Sequence, residues 1–276
     1  MSQQTRVNWS RVTTVAKTDL KQLIQAKDFW APMIFLGGFF FVIVPGFLLL
    51  TVTQIGSVDV VSQVSETLAV LPDSAQAQIE GQSPQGQTGY ALAVFLFAPM
   101  AIVVPLTIST AVGASTIVGE RERGTGEFLA HSPASTTEIY LGKLVASVLP
   151  GYCTVIVGFG LYSLLVNVLV GPEVGGWFFP TAQWWIMIGW VLPPFLVLCL
   201  SIVLRLSARV SSTAAAQQAS GLVSLPLIGI AYSQATGSLF GAGYLPWIIG
   251  GVAWTIALIS LMRGVRSVTR SRLLGV

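Results

Sequence analysis

The residues able to do chemistry are few, and they gather in one stretch. Gly119 to Lys143, GERERGTGEFLAHSPASTTEIYLGK, carries Glu120, Arg121, Glu122, Arg123, Glu127, His131, Glu138 and Lys143 between two long apolar runs. His131 is the single histidine and has no partner motif, so it reads as a solvated or partner-facing residue. A serine protease needs a base beside its nucleophile, and a zinc protease needs several His and carboxylate ligands; neither set is in this sequence. Cys153 and Cys199 lie in apolar runs with no metal-ligand spacing and read as small buried hydrophobes. There is no G-x-x-x-x-G-K-[ST]: the one Gly-Lys pair, Gly142 and Lys143, is followed by Leu144 and lacks the upstream glycine. No catalytic residue, metal or bound cofactor is therefore expected. What the 119–143 stretch can do is pair charges and dock a partner.

The elements that must position it are membrane spans. Of 276 residues, 53% are hydrophobic and 9% charged, with a mean hydropathy of +0.76, against about 25% charged in an ordinary soluble domain. Runs long enough to cross a bilayer, which takes about 20 residues, cover Trp30 to Thr53, Tyr90 to Val118, Leu144 to Val170, Trp184 to Leu204, Ala214 to Ser233 and Tyr244 to Met262. An all-α integral membrane protein with six transmembrane helices is expected. All fourteen Lys and Arg fall in the termini and every second loop, together with six acids; the other side carries Asp59, Glu66, Asp73, Glu80 and Glu173 and no base. By the positive-inside rule both termini are cytosolic and the chain is multi-pass in the inner (plasma) membrane. The basic balance is explained by topology and anionic lipid, and it gives no reason to invoke nucleic acid.

Residues 1–29 form a cytosolic connecting segment, 30–262 the transmembrane domain and 263–276 a basic tail. In the first of these, Val12, Val15, Ala16, Leu20, Leu23 and Ile24 recur at helical spacing, with Arg11, Lys17, Lys21 and Gln25 on the other face. That pattern predicts an interfacial amphipathic helix with lysines toward headgroups; a solvated helix without mechanical role is the alternative. A polar segment precedes a full-length first span, so no cleavable signal peptide is expected. The external loop 54–89 has room for one or two short helices. The segment 234–245, QATGSLFGAGYL, suits a re-entrant hairpin buried against protein. Prolines 45, 99, 105, 150, 193, 194 and 226 fall inside the spans and should kink them.

No ionisable residue lies in the middle of any span, the nearest being Arg205 at an inner end. Ion-coupled carriers place such groups there despite a cost of roughly 2.5–3.5 kcal/mol, so ion-driven transport is not expected. Mild polarity is present instead. Thr107, Thr110, Asn167, Gln217, Gln218 and Ser224 are candidates for a pathway or a subunit interface, although most such groups only bond helix to helix. The small-residue run Ala214 to Gly221 suits close packing with a second subunit.

Within 119–143, Glu120, Arg121, Glu122 and Arg123 cap the inner end of the second span and can pair with each other or with nearby bases. Gly124 and Gly126 turn the chain. Glu127 to His131 makes about one helical turn bearing Phe128 and Leu129, Pro133 ends it, and Ser135 with Glu138 three positions on matches a capping box that starts the third span. The result is a short helix held parallel to the membrane, with an apolar tip exposed unless a partner covers it.

At these residues the sequence resembles the type-2 ABC exporter permeases. Glu120, Gly124, Thr125, Glu127, Leu129, Pro133, Glu138, Gly142 and Lys143 stand in the family's order, in the loop between the second and third of six spans. Gly126 and Phe128 depart from it, since a Leu-rich stretch is common there. The resemblance implies a half-transporter: two permeases, identical or related, enclose a pathway, each resting through its coupling helix on one of two cytosolic ABC ATPase subunits that bind ATP and magnesium. It implies that Phe128 and Leu129 dock on the ATPase, that Glu120 with Arg121 or Arg123 stiffens the joint to the N-terminal helix, and that the cargo is an amphipathic drug, lipid or glycolipid. A mechanical subunit driving an extracytoplasmic partner, and a non-transport scaffold, are the alternatives.

Overall fold

The computed structural model describes residues 7–55, 73–125, 127, 131–210, 212–235 and 243–267, and every regular element among them is helical. Helix α1, Trp9–Gln25, starts at Asn8, whose side-chain carbonyl accepts from the Ser10 amide. It ends at Ala26, where the backbone becomes extended. The next helix, α2, runs Lys27–Gly38, a π-helical turn Phe39–Ile43, Val44–Leu50 and a second π turn Thr51–Ile55. After a short turn Asp73–Gln76 comes α3, Pro84–Ala91 with the π turn Leu92–Leu96, and then α4, Met100–Glu122. Helix α5, Thr136–Leu169, is the longest at 34 residues. Beyond the turn Gly171–Val174 follow α6 (Ala182–Ile186, π turn Met187–Val191, Leu192–Ser207), α7 (Thr213–Ala235) and α8 (Leu245–Ser267).

Among the described residues five helices are long and apolar enough to cross a membrane: Phe29–Gln54, Pro84–Glu120, Thr136–Leu169, Ala182–Ser207 and Leu245–Val265. They coincide with the first four and the last of the expected spans. The remaining one, Ala214 to Ser233, lies in α7, a helix of 23 residues that packs on α4 and α6 but is not among the five. Residues 56–72 of the external loop, 236–242 of the expected re-entrant segment, Gly126 and 128–130 of the expected coupling turn, and the tail from 268 lie outside the described residues.

Three of the seven prolines expected to kink spans sit just after a π turn, whereas Pro105 and Pro150 lie within uninterrupted α-helix. Pro45, Pro99 and Pro193 each follow a π turn, and each denies an α-helical donor to the carbonyl four residues back, on Phe41, Phe95 and Gly189. The helix widens there. Carbonyls of two of these turns take side-chain donors from neighbouring helices: the Tyr162 hydroxyl donates to Ala93 O at 2.7 Å, the Trp184 indole to Val94 O at 3.1 Å, and the Tyr152 hydroxyl to Ile188 O at 3.3 Å. In a bilayer no water is present to do this. Tyr162 and Trp184 also pack in the buried aromatic core with Phe159 and Phe179, ring centroids 5.0–5.8 Å from Trp184, Phe179 meeting it edge-on.

At the other end of the bundle the ties are polar. The Ser207 hydroxyl donates to Ala114 O at 2.7 Å and accepts from the Val118 amide, joining α6 to α4. Arg205 donates to Ser201 O and to the Ser260 hydroxyl, both at 2.8 Å, joining α6 to α8.

Helix α5 crosses α4 at Gly151, where a Cβ would overlap the Pro105 carbonyl oxygen and Ser109 Oγ; at Gly160, nine residues on, a Cβ meets open space. Gly151→Ala should therefore cost about 1–3 kcal/mol through overpacking, whereas Gly160→Ala should gain about 0.5–1 kcal/mol from helix entropy. Thermal unfolding midpoints of the two variants in one detergent should fall on opposite sides of the parent.

Candidate functional site

The expected capping box is present, and it does more than start α5. Ser135 Oγ accepts from the Glu138 amide at 3.2 Å while Glu138 Oε2 accepts from the Ser135 amide at 2.8 Å. The other carboxylate oxygen, Oε1, accepts from the Asn8 amide at 2.8 Å. Arg11 lies 3.7 Å from Oε2 and donates to Pro133 O at 2.8 Å. One carboxylate, 3% exposed, thus serves the first turns of both α1 and α5.

One helical turn further, α1 lies directly on α5. A Cβ on Gly142 would stand 2.7 Å from Val15 Cβ and 2.9 Å from Val12 O, so only glycine allows the approach. Val12 and Ala16 are buried by it. The neighbouring Lys143 is 1% exposed, and its ammonium donates to Thr116 O at 3.0 Å, Asp19 Oδ2 at 3.2 Å and Glu120 Oε1 at 3.4 Å. An ammonium has three donors. Each goes to a partner on another helix, Asp19 on α1 and Thr116 and Glu120 on α4, so one buried charge joins α1, α4 and α5.

The chain leaves this cluster through a tight turn. Gly124 adopts φ +71°, as a left-handed helix C-terminus requires. The Thr125 amide donates to Glu120 O at 2.9 Å, and the Thr125 hydroxyl donates to the Glu120 carboxylate. Glu122 Oε1 accepts from the Thr213 amide at 2.9 Å, which brings the start of α7 to the same place. Arg123 lines a cavity of about 60 Å³ with Asp19, Gln22, Glu120 and Lys143. Burial pushes the Asp19 carboxyl above its ordinary range, against the opposing pull of Lys143.

Of the residues expected to couple, Glu120 and Glu138 are anchors of the cluster. Arg123 borders it, and Glu127 is exposed with its carbonyl accepting from the His131 amide at 3.1 Å. The side chain of Arg121 and all of Phe128 and Leu129 lie outside the described residues. The polar residues of the spans are scattered. Thr107 is exposed and Thr110 buried, and each donates to its own helix. Asn167 is buried, its side-chain carbonyl accepting from the Phe178 and Phe179 amides at 3.0 Å each, so it holds the 175–180 turn. Gln217 and Gln218 are exposed on α7, and the Ser224 side chain lies outside the described residues. Sequence reasoning missed Asp19 and Asn8. The signal for Asp19 was available: it is the one acid on a helix that otherwise carries Arg11, Lys17 and Lys21.

Several membrane-length helices, with their charged residues collected at helix ends, define a multi-pass membrane protein. The chain belongs to the ABC-2 family of transporter proteins, whose family model matches residues 13–246, a stretch that includes Asp19, Glu120, Glu138 and Lys143. It is accordingly a membrane subunit of an ABC transporter, and the family implies association with ABC ATPase partners. No curated protein matches the chain.

Removing the ammonium leaves two buried carboxylates facing each other, and breaking a buried pair costs about 3–5 kcal/mol. Lys143→Met should be the most damaging change in the cluster, and Lys143→Met with Asp19→Asn and Glu120→Gln should recover much of the loss. Thermal unfolding of the purified permease in one detergent reads both. The pH dependence follows from the raised Asp19 pKa. The folded state holds this proton more tightly than the unfolded chain, so the contribution is full below about pH 3.9 and is lost as pH rises through the folded pKa. Asp19→Asn, neutral throughout, should therefore gain on the parent as pH rises through that window.

Proposed function

We propose that this chain is the membrane half-transporter of an ATP-driven exporter, seated in the inner (plasma) membrane with both termini cytosolic and six spans, α7 being the fifth. Two such permeases, identical or related, would enclose the pathway, and two cytosolic ABC ATPases, which bind the ATP and magnesium, would drive it. The permease itself would carry out no catalysis.

The observation that carries this reading is that both ends of the stretch from Gly124 to Ser135 are tied to α1, by Glu120 through Lys143 and Asp19 and by Glu138 through Asn8. Glu120 holds the end of α4 to Lys143; Ser135 and Glu138 hold the start of α5 to Asn8. A push on the turn reaches two spans and the N-terminal helix together. Phe128 and Leu129, at the tip, would sit in a groove of the ATPase, with Glu127 beside them. The cargo would be amphipathic, a drug, lipid or glycolipid, because the described spans present apolar surface with hydroxyls and amides and keep Lys143 and Arg205 tied at helix ends.

Phe128→Asp with Leu129→Asp should release the ATPase while leaving the unfolding midpoint of the membrane part within about 1 °C, because surface changes away from packed features are worth under about 0.5 kcal/mol. Native mass spectrometry of the tagged permease in nanodiscs reads the outcome. Two ATPases with two permeases in the parent, and permease alone in the variant, are expected; unchanged co-purification in the variant would place the docking contact elsewhere.

A further inference from the structure

A groove of about 550 Å³ opens between the last turns of α1, the first half of α2 and the middle of α5. Its walls include Leu20 and Ile24 of α1, Trp30 and Gly38 of α2, and Cys153 and Val157 of α5. The volume lies within the roughly 300–1,000 Å³ of sites that enclose a small apolar ligand. It exists because side chains are missing: a Cβ on Gly38 meets open space, while the α2–α5 contact beyond is closed by Phe41 packing onto Gly158. Ile24 is 71% and Val157 63% exposed, an arrangement that suits only a hydrocarbon surrounding.

Two bases stand close to this lining along the chain. Lys21 lies three residues before Ile24 and Lys27 three before Trp30, so each long side chain starts within one helical turn of a lining residue and can snorkel toward the groove's edge. Both lysines are exposed. The one acid of α1, Asp19, lines the other cavity and is held there by Lys143. Two exposed bases thus lie within a helical turn of residues that line an apolar slot, near a tryptophan of the kind that sits at membrane interfaces.

We propose that the groove is a binding site for one anionic glycerophospholipid of the inner leaflet, an acyl chain lying along Gly38 and Val157 and the phosphate resting on Lys21 and Lys27. The lipid would act as a wedge that sets how far α1 can tilt from α2 and α5, and so would position the helix that carries Asp19. This inference rests on the membrane placement of α1 and α2 and is independent of export.

The test uses the full-length permease, delipidated in a neutral detergent and titrated with phosphatidylglycerol or phosphatidylcholine of identical chains, bound lipid being counted by native mass spectrometry. One phosphatidylglycerol should bind about tenfold more tightly than phosphatidylcholine. Lys21→Ser with Lys27→Ser should bring the two lipids level, and Gly38→Phe, which fills the slot, should remove the tight site for both. Cys153→Phe fills it from the opposite wall and should act alike, so that a folding defect in one variant does not decide the matter. Equal binding of the two lipids by the parent, or tight binding that survives both filled variants, would overturn the proposal. A dimer that excludes lipid and separates when the slot is filled would instead make the groove a contact between permeases. ATPase co-purification is scored on the same samples, so failure here and failure of the export reading are told apart.

Discussion

The end of the bundle where α1, α4 and α5 meet is organised by one constraint: the ammonium of Lys143 is 1% exposed and must have partners. Burying a lone charge costs several kcal/mol even after relaxation, so α5 can hold Lys143 where it is only while acceptors surround it. Those acceptors come from two other helices, Asp19 from α1 and Glu120 with the Thr116 carbonyl from α4. The positions of three elements are therefore not independent. Gly142 makes the arrangement possible sterically, since a side chain there would drive α1 off α5 and take Asp19 with it.

The two ends of the bundle solve the same problem by different means. Toward the far end backbone carbonyls within π turns accept side-chain donors, the Tyr162 hydroxyl and the Trp184 indole, from a packed aromatic core. Asn167 similarly closes the 175–180 turn with its amide. These are neutral bonds embedded in tight packing. Near Lys143 the bonds are charge-assisted, which makes them stronger singly and sensitive to any change in the charge balance.

How much of this could be read from sequence depended on range. The Ser135–Glu138 box was legible because both bonds are made within one helical turn, and span ends were legible because hydrophobic length and the position of bases are local properties. The amphipathic pattern of α1 likewise identified Val12 and Ala16 as its buried face. The burial of Lys143 is not legible, because nothing near it in the chain shows that it is covered; its partner Asp19 is 124 residues away. Asn167 was read as a residue of a possible path because an amide in a span looks the same whether it faces a cavity or a backbone turn. The π turns could be anticipated only as kinks, since a proline shows that a donor is missing and not which side chain will replace it.

These features bear on how a force applied at the turn between α4 and α5 would travel. A helix anchored at a single point can swing about it. The turn from Gly124 to Ser135 has an anchor at each end, Glu120 before it and Glu138 after it, and the two anchors meet on α1 through Asp19 and Asn8. Displacing the turn without moving α1 would require breaking a charge-assisted bond to the buried Lys143 or Glu138. Moving all three helices together breaks none, and the neutral, tightly packed far end then becomes the place about which they pivot. Under the proposed function, the permease is stiff at the joint that receives the ATPase stroke, and that stiffness originates in one buried lysine.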